Sequence, residues 1–91
     1  MNIVILDGAR ISCVEDMHSV FADSLGFPEY YGRNLDALHD LLGDLNEFTS
    51  IIVLKASSLK DALGIRWTPF ITMMKKAESE NANIHFYLTG V

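Results

Sequence analysis

The segment from Phe27 to Asp44, FPEYYGRNLDALHDLLGD, sets two tyrosines and three aspartates on a turn followed by a short helix. Asn34 is suited to cap that helix, because its side-chain oxygen can accept a hydrogen bond from a free backbone N–H of the first turn. Gly43 is suited to end it. The helix is therefore predicted to start just after Asn34 and to stop close to Gly43.

This predicted helix has one apolar side and one acidic side. At about 100° per residue, its four leucines fall together on the apolar side: Leu35, Leu38, Leu41 and Leu42. Asp36 and Asp40 project from the opposite side, and His39 and Asp44 flank them. With the leucines buried, the acids must point outward, beside the turn formed by residues 30–32. The result is an acidic surface edged by tyrosines.

The spacing of these acids leaves two interpretations open. Asp36 benefits from the positive end of the helix dipole, but Asp36, Asp40 and Asp44 are i,i+4 neighbours of like charge, each pair costing roughly 0.2–0.5 kcal/mol. Arg33 is the only nearby base in the sequence. A charged helix face is most simply a solvated one. Uncompensated like charge beside exposed tyrosines equally favours a surface that binds a positively charged partner.

At Pro28 to Leu42, PEYYGRNLDALHDLL, the sequence resembles the barstar family, whose members typically read PEYYG-x-NLDAL-x-D here. These proteins are intracellular inhibitors of barnase-type ribonucleases. The resemblance extends from the first strand to the closing IHFYL strand, mostly as pattern rather than identity. It implies a partner-binding segment whose matching residues here are Tyr30, Tyr31, Gly32, Asn34, Asp36 and Asp40.

Within that segment, the resemblance implies that Asp40 is the deepest anchor among nuclease arginines, with Gly43 and Asp44 at the rim. Two positions depart from the family pattern. His39 stands where the family often carries an aromatic residue such as tryptophan. On an ungapped alignment of the last helix and strand, Lys76 stands where a nuclease inhibitor of this family carries an acid. Either the cognate enzyme differs from a typical barnase, or this chain keeps the family fold and has another binding role.

Outside this segment, apolar runs alternate with helical patterns. Unbroken apolar runs predict strands buried on both faces, over Ile3–Leu6, Ile51–Leu54 and Ile84–Leu88. Helical spacing and end signals predict three further helices, over Val14–Leu25, over Ala56–Leu63 and from a Thr68-Pro69 cap to about Glu80, with Phe70, Met73, Met74 and Ala77 facing inward.

Strands joined by long helical connections cannot be hairpins and imply a parallel sheet with right-handed crossovers. The family resemblance supplies the topology. The predicted class is α/β, a small two-layer barstar-like fold with a three-stranded parallel sheet and three to four helices, in a single domain over residues 1–91.

The net charge, the cysteine count and the lack of long apolar runs limit what kind of protein this can be. A formal net charge of −5 over 91 residues argues against direct nucleic-acid contact, which relies on clustered Lys and Arg. Cys13 is the only cysteine, so no internal disulfide is possible. The apolar opening MNIVILDG is too short for a signal peptide or a membrane span. We expect a cytoplasmic protein without membrane contact that is monomeric when free.

The sequence supports an enzymatic function less well than it supports binding of a protein partner. Asp36, His39 and Asp40 have a spacing that could approach one metal ion, but the sequence shows no further convergent ligand. Two solvated acids would both be ionised, whereas acid–base catalysis needs their pKa values pushed apart. Cys13 lies in no nucleophile motif, and His18 is predicted to be an exposed helix residue. We predict no catalysis, no cofactor and no metal.

The leading hypothesis is thus an immunity protein that covers the active site of a basic, extracellular or toxin ribonuclease of barnase type. The alternative is a barstar-like interaction module whose target is not a ribonuclease. The predicted partner-binding residues include the two positions that differ from the family pattern. They are Tyr30, Tyr31, Gly32, Asn34, Asp36, His39, Asp40, Gly43, Asp44 and Lys76.

Overall fold

Strands and helices alternate along residues 1–90, which the computed structural model describes. Val91, the last residue of the predicted domain, lies outside the described residues. The elements in chain order are β1 (Asn2–Asp7), α1 (Val14–Leu25), α2 (Leu35–Gly43), β2 (Thr49–Leu54), α3 (Ala56–Leu63), α4 (Trp67–Glu80) and β3 (Ile84–Leu88), with a 3₁₀ turn over Gly64–Arg66 between α3 and α4.

The three strands form one parallel sheet in the order β1-β2-β3. Val4 of β1 pairs with Ile51 of β2, which pairs in turn with Phe86 of β3. Each crossover contains helices, as parallel neighbours require. The predicted α/β class and three-stranded parallel sheet are confirmed. None of the helices in residues 1–90 is both long enough and apolar enough to cross a bilayer.

The core lies between one face of the sheet and the helices. Helix α1 packs on β1, α4 packs on β3, and α2 packs on α4. The fully buried sheet residues are Val4, Leu6, Ile51, Val53 and Ile84, and the largest buried helix residues include Phe21, Leu38, Phe70 and Met74. Because α2 reaches the core mainly through α4, its opposite side is left facing solvent.

The prediction that the strands are buried on both faces is wrong. Burial alternates along β1, where Val4 and Leu6 have no exposed surface but Ile3 and Ile5 remain 50% and 49% exposed. Tyr87 of β3 is similarly exposed. Helices cover one face of the sheet, and among the described residues no element covers the other. The fold has two layers, as expected. Its strands are nevertheless unbroken apolar runs, which are more typical of a sheet with helices on both faces.

The start of α4 also differs from prediction. The helix begins at Trp67, directly after the 3₁₀ turn, so Thr68 lies inside the helix rather than at its cap. Pro69 falls in the first turn, where the missing backbone N–H removes no helical hydrogen bond. Phe70 is buried as predicted, but Met73 is only half-buried. The continuous chain path from α3 explains why a separate cap is unnecessary.

Candidate functional site

Helix α2 is positioned by hydrogen bonds at both ends. The Asn34 side-chain oxygen accepts from the Ala37 backbone N–H at 2.8 Å, which confirms the predicted cap. Helix α2 ends at Gly43, as predicted. The Asn81 side-chain amide donates to the carbonyl oxygens of Leu42 and Leu45, both at 3.0 Å. These last contacts tie the C-terminal end of α2 to the end of α4.

The acidic side of α2 points into solvent. Leu38 and Leu42 are fully buried, while Leu35 and Leu41 are partly buried. The aspartates Asp36, Asp40 and Asp44 are all exposed; we call these three residues the acidic face. The predicted orientation of the helix is therefore confirmed.

Arg33, the base closest in sequence, does not neutralise this face. Its backbone is left-handed, with φ of 53°, and its side chain turns toward α1. There Arg33 Nε donates to Glu15 Oε2 at 2.8 Å, and the guanidinium also donates to the Ser19 hydroxyl. None of the ion pairs within residues 1–90 involves the acidic face. Its three carboxylates remain available to a cationic partner.

The two tyrosines before α2 have different environments. Tyr30 is 86% exposed, whereas Tyr31 is 7% exposed. The Tyr31 ring packs edge-on against Phe27, with ring centroids 4.9 Å apart, and its hydroxyl bonds His18 Nδ1. The expectation that both tyrosines are exposed is therefore wrong for Tyr31. Tyr31 nevertheless lines a shallow depression of about 180 Å³, together with Tyr30, Gly32, Ala37, Asp40 and Leu41.

His18 was predicted to be exposed, and this too is wrong, since the residue is 1% exposed. It lies four residues after Val14 and three before Phe21, on the apolar stripe of α1. The spacing alone would have predicted that His18 is buried. Because histidine is polar, the residue was assigned to the exposed side of the helix. By bonding Tyr31, His18 attaches the turn that carries Tyr30 to the core.

This buried pair predicts a pH dependence of stability. Burial lowers the pKa of His18, with Arg33 and Arg66 adding to the effect and Glu15 opposing it; burial also raises the pKa of Tyr31 to about 12. Because the unfolded chain binds the His18 proton more readily, the free energy of unfolding should fall as pH drops below the ordinary histidine value of about 6.5.

Urea unfolding measured across the acidic pH range checks this expectation. His18→Gln, which can still hydrogen-bond Tyr31 but does not titrate, should show a shallower loss of stability than wild type above the carboxyl range. If the free energy of unfolding falls with pH equally steeply in wild type and His18→Gln, His18 is not the source of the pH dependence.

A groove of about 520 Å³ runs between α2 and α4. The α2 wall contains Leu35, Asp36 and His39, and the α4 wall contains Thr68, Pro69, Thr72, Met73 and Lys76. His39 Nε2 lies 2.7 Å from Glu80 Oε1, which links the two helices. Lys76, an exposed residue, lines the same groove as Asp36; its role in binding stays a prediction.

The contact between His39 and Glu80 had no signal in the sequence. Glu80 lies 41 residues from His39 along the chain, and only the packing of α2 on α4 brings them together. Met73 was assigned to the core from its position on the stripe of α4. It packs against the core but is only partly buried, and it also supplies part of the wall of the groove.

Within residues 1–90, no three His, Cys, Asp or Glu side chains converge as metal ligands. Of the three residues considered for a metal, His39 turns to Glu80 rather than to Asp36 and Asp40. Cys13 is exposed and precedes α1 at its cap position. The acidic face is thus the candidate binding surface of this small α/β domain.

Comparison with known proteins identifies the class more closely. The family model described as Barstar (barnase inhibitor) matches residues 1–89. The chain belongs to the barstar family, whose members are inhibitors rather than enzymes. It is also similar to a Bacillus subtilis (strain 168) protein named "Putative ribonuclease inhibitor YrdF", with 35% identity over 81 residues, covering 88% of this chain and 89% of that protein.

Proposed function

We propose that this chain is an intracellular immunity protein that binds a basic, barnase-like ribonuclease and blocks its active site with the acidic face of α2. The observation that carries the proposal is the acidic face itself: three exposed carboxylates along one helix, with Arg33 held away from them on α1. A ribonuclease must present cations to hold RNA phosphates. Carboxylates fixed on a helix can occupy the same positions.

Asp40 is the proposed anchor because of where it stands. It lines the depression beside Tyr30 and Tyr31, is exposed, and makes no ion pair with any residue of the described range 1–90. A carboxylate at the centre of an interface can accept paired hydrogen bonds from arginine guanidinium groups, which are stronger than neutral ones. Tyr30 stands next to it and can exclude water from those bonds once the partner is bound.

The scaffold limits the cost of binding. The Asn34 cap and the Asn81 amide hold both ends of α2, and the His18–Tyr31 bond holds the preceding turn. A face that is already ordered loses little conformational entropy when the partner docks. The inhibitor therefore needs no rearrangement of its own backbone to present Asp36 and Asp40.

The test is capture followed by an activity assay. The immobilised chain is exposed to cell lysate and culture supernatant from the organism of origin, and the captured protein is assayed for RNA degradation with and without added free chain. The proposal expects a ribonuclease whose activity is lost at one equivalent of the chain. Asp40→Ala bait should lose the capture, whereas Asp23→Ala, which removes an exposed acid from α1, should retain it.

The alternative is a barstar-family module that binds a protein other than a ribonuclease. The observation in its favour is the groove between α2 and α4, where Lys76 places a cation on the edge of the acidic face. A captured protein that is lost with Asp40→Ala but does not degrade RNA would establish this alternative.

Association with the proposed partner should depend strongly on salt. Long-range attraction between an acidic and a basic face speeds encounter, and the Debye length shrinks from ~30 Å at 0.01 M to ~10 Å at 0.1 M. We expect the association rate constant to fall steeply over this range while the dissociation rate constant changes much less.

Stopped-flow association measured at several salt concentrations checks this prediction. Asp36→Asn should flatten the salt dependence, because it removes one charge from the acidic face, and Asp23→Asn should change it less. An association rate indifferent to salt would point to an apolar interface and to a different binding surface.

A further inference from the structure

Arg33 lies at the junction between the turn of residues 30–32 and helix α2. Its φ of 53° is in the left-handed region, which residues with a side chain adopt at a cost in free energy. The turn folds back tightly on α2 here. The Asn34 side-chain amide donates to the Gly32 carbonyl oxygen at 3.3 Å, and a Cβ added at Gly32 would lie 3.5 Å from the Cβ of Ala37. The backbone direction at Arg33 therefore sets where the turn lies relative to the acidic face.

The Arg33 side chain anchors this junction to α1. Its Nε donates to Glu15 Oε2 at 2.8 Å, and its Nη2 donates to the Glu15 backbone carbonyl oxygen at 3.1 Å and to the Ser19 hydroxyl. We call these contacts the Arg33 clamp. Because the three acceptors lie on two successive turns of α1, they fix the plane of the guanidinium group as well as its position.

The clamp holds the end of the turn, whereas a different contact holds its middle. Within the described part of the chain, the only other hydrogen bond between residues 30–33 and α1 joins the Tyr31 hydroxyl to His18 Nδ1. A single bond leaves a turn free to rotate about it. Without the clamp, the backbone of Arg33 could relax out of the left-handed region and tilt the turn away from α2.

We propose that Arg33 is a positioning residue of the inhibitory surface, which fixes the turn carrying Tyr30 at the angle to α2 that the partner recognises. This inference rests on the proposed function, because it assigns a role within the same binding site. Tyr30 and Asp40 line one depression, so a tilt of the turn would separate the ring from the carboxylate that it shields. Arg33 acts through Glu15 and Ser19 and needs no contact with the partner.

The charge of Arg33 gives this proposal a distinctive sign. Removing its cation changes the net charge from −5 to −6, which by itself strengthens the attraction to a basic partner. Loss of the clamp should instead weaken the complex, chiefly through faster dissociation, because the contact of Tyr30 is no longer held in place. Weaker binding after a cation is removed from this acidic chain therefore cannot come from long-range electrostatics.

Binding kinetics against barnase, used as the basic ribonuclease probe, test the proposal. Arg33→Gln should raise the dissociation rate constant by about fivefold or more. Lys60→Gln is the matched control, because Lys60 is an exposed cation of α3 that lines neither the groove nor the depression and makes no ion pair within residues 1–90. It should leave the dissociation rate constant unchanged. Arg33→Lys, which keeps the charge and can still pair with Glu15, should recover part of the loss.

A double-mutant cycle tests whether Arg33 acts through the clamp. Glu15→Gln should also speed dissociation from barnase. Combined with Arg33→Gln, it should add little further, because both substitutions remove the same contacts. Independent, additive effects of the two substitutions would overturn the proposal.

Amide hydrogen exchange of the free chain separates this proposal from the proposed function. The amides of Tyr31 and Ala37 donate to Pro28 O and Asn34 Oδ1, and in Arg33→Gln they should exchange faster by about fivefold or more. In Lys60→Gln they should exchange as in wild type.

Unchanged exchange in Arg33→Gln would overturn the positioning role, and so would dissociation from barnase that is no faster than that of Lys60→Gln. A wild-type chain that binds no ribonuclease would overturn the proposed function instead. The exchange of the two amides would then still decide whether Arg33 positions the turn.

Discussion

Asp40→Ala is expected to weaken binding to the partner ribonuclease by at least about 2 kcal/mol, roughly thirtyfold, while changing the free energy of unfolding by no more than about 0.5 kcal/mol. Asp40 faces away from the buried Leu38 and Leu42 and makes no ion pair within the described residues. Its removal should leave guanidinium groups of the partner buried without a counter-charge. It also relieves repulsion from Asp36 and Asp44.

Calorimetric titration against the captured nuclease measures the binding change, and urea unfolding measures the stability change. Asp23→Ala provides the matched control, as an exposed acid on α1 that contributes the same net charge. It should weaken binding far less than Asp40→Ala does. If Asp40→Ala binds as tightly as wild type, Asp40 is not the main binding residue. If the variant unfolds at a much lower urea concentration, Asp40 has a structural role that contradicts this prediction.

Lys76→Glu is expected to tighten inhibition of a typical barnase at least tenfold, about 1.4 kcal/mol. Lys76 lines the groove beside Asp36 and His39, where its ammonium would meet the cations of a nuclease that expects an acid at this position. Like charges facing each other across an interface discriminate against the wrong partner. For the cognate enzyme the same substitution should be neutral or harmful, because that enzyme is expected to offer an acid or a water-filled gap there.

Titration of both variants against both enzymes measures this specificity. Lys75→Glu is the matched control, since Lys75 is exposed on the same helix but does not line the groove. It makes the same change in net charge, so any general electrostatic gain will appear in both variants. Tight inhibition of barnase by wild type, or equal gains from the two substitutions, would remove Lys76 as a specificity determinant.

Local signals in the sequence were sufficient for most of the secondary structure. The predicted bounds of α1, α3 and β3 agree with the structure. Helix α1 ends where Gly26 adopts a left-handed φ of 64°, a conformation that glycine reaches without steric cost. The start of α4 was misplaced because proline, although most frequent at the first position of a helix, is also tolerated at the third, where its missing N–H would have no helical partner.

The candidate site was only partly predictable. The periodicity of α2 placed Asp36 and Asp40 outward, because burial of leucines on one side leaves the acids no other direction. Periodicity carries no information about a turn, however, so the different environments of Tyr30 and Tyr31 were not foreseen. The same holds for the contact of His39 with Glu80, which depends on how two helices distant in sequence pack together.

The position of Arg33 has a consequence for how a partner approaches. Because its guanidinium stays with Glu15 and Ser19, the negative charge of α2 remains concentrated on one edge of the molecule instead of being cancelled locally. Three carboxylates concentrated on one surface exert a torque on a basic protein as well as an attraction. An approaching partner would therefore be rotated into alignment with α2 before contact, which would shorten the orientational search that normally limits protein association.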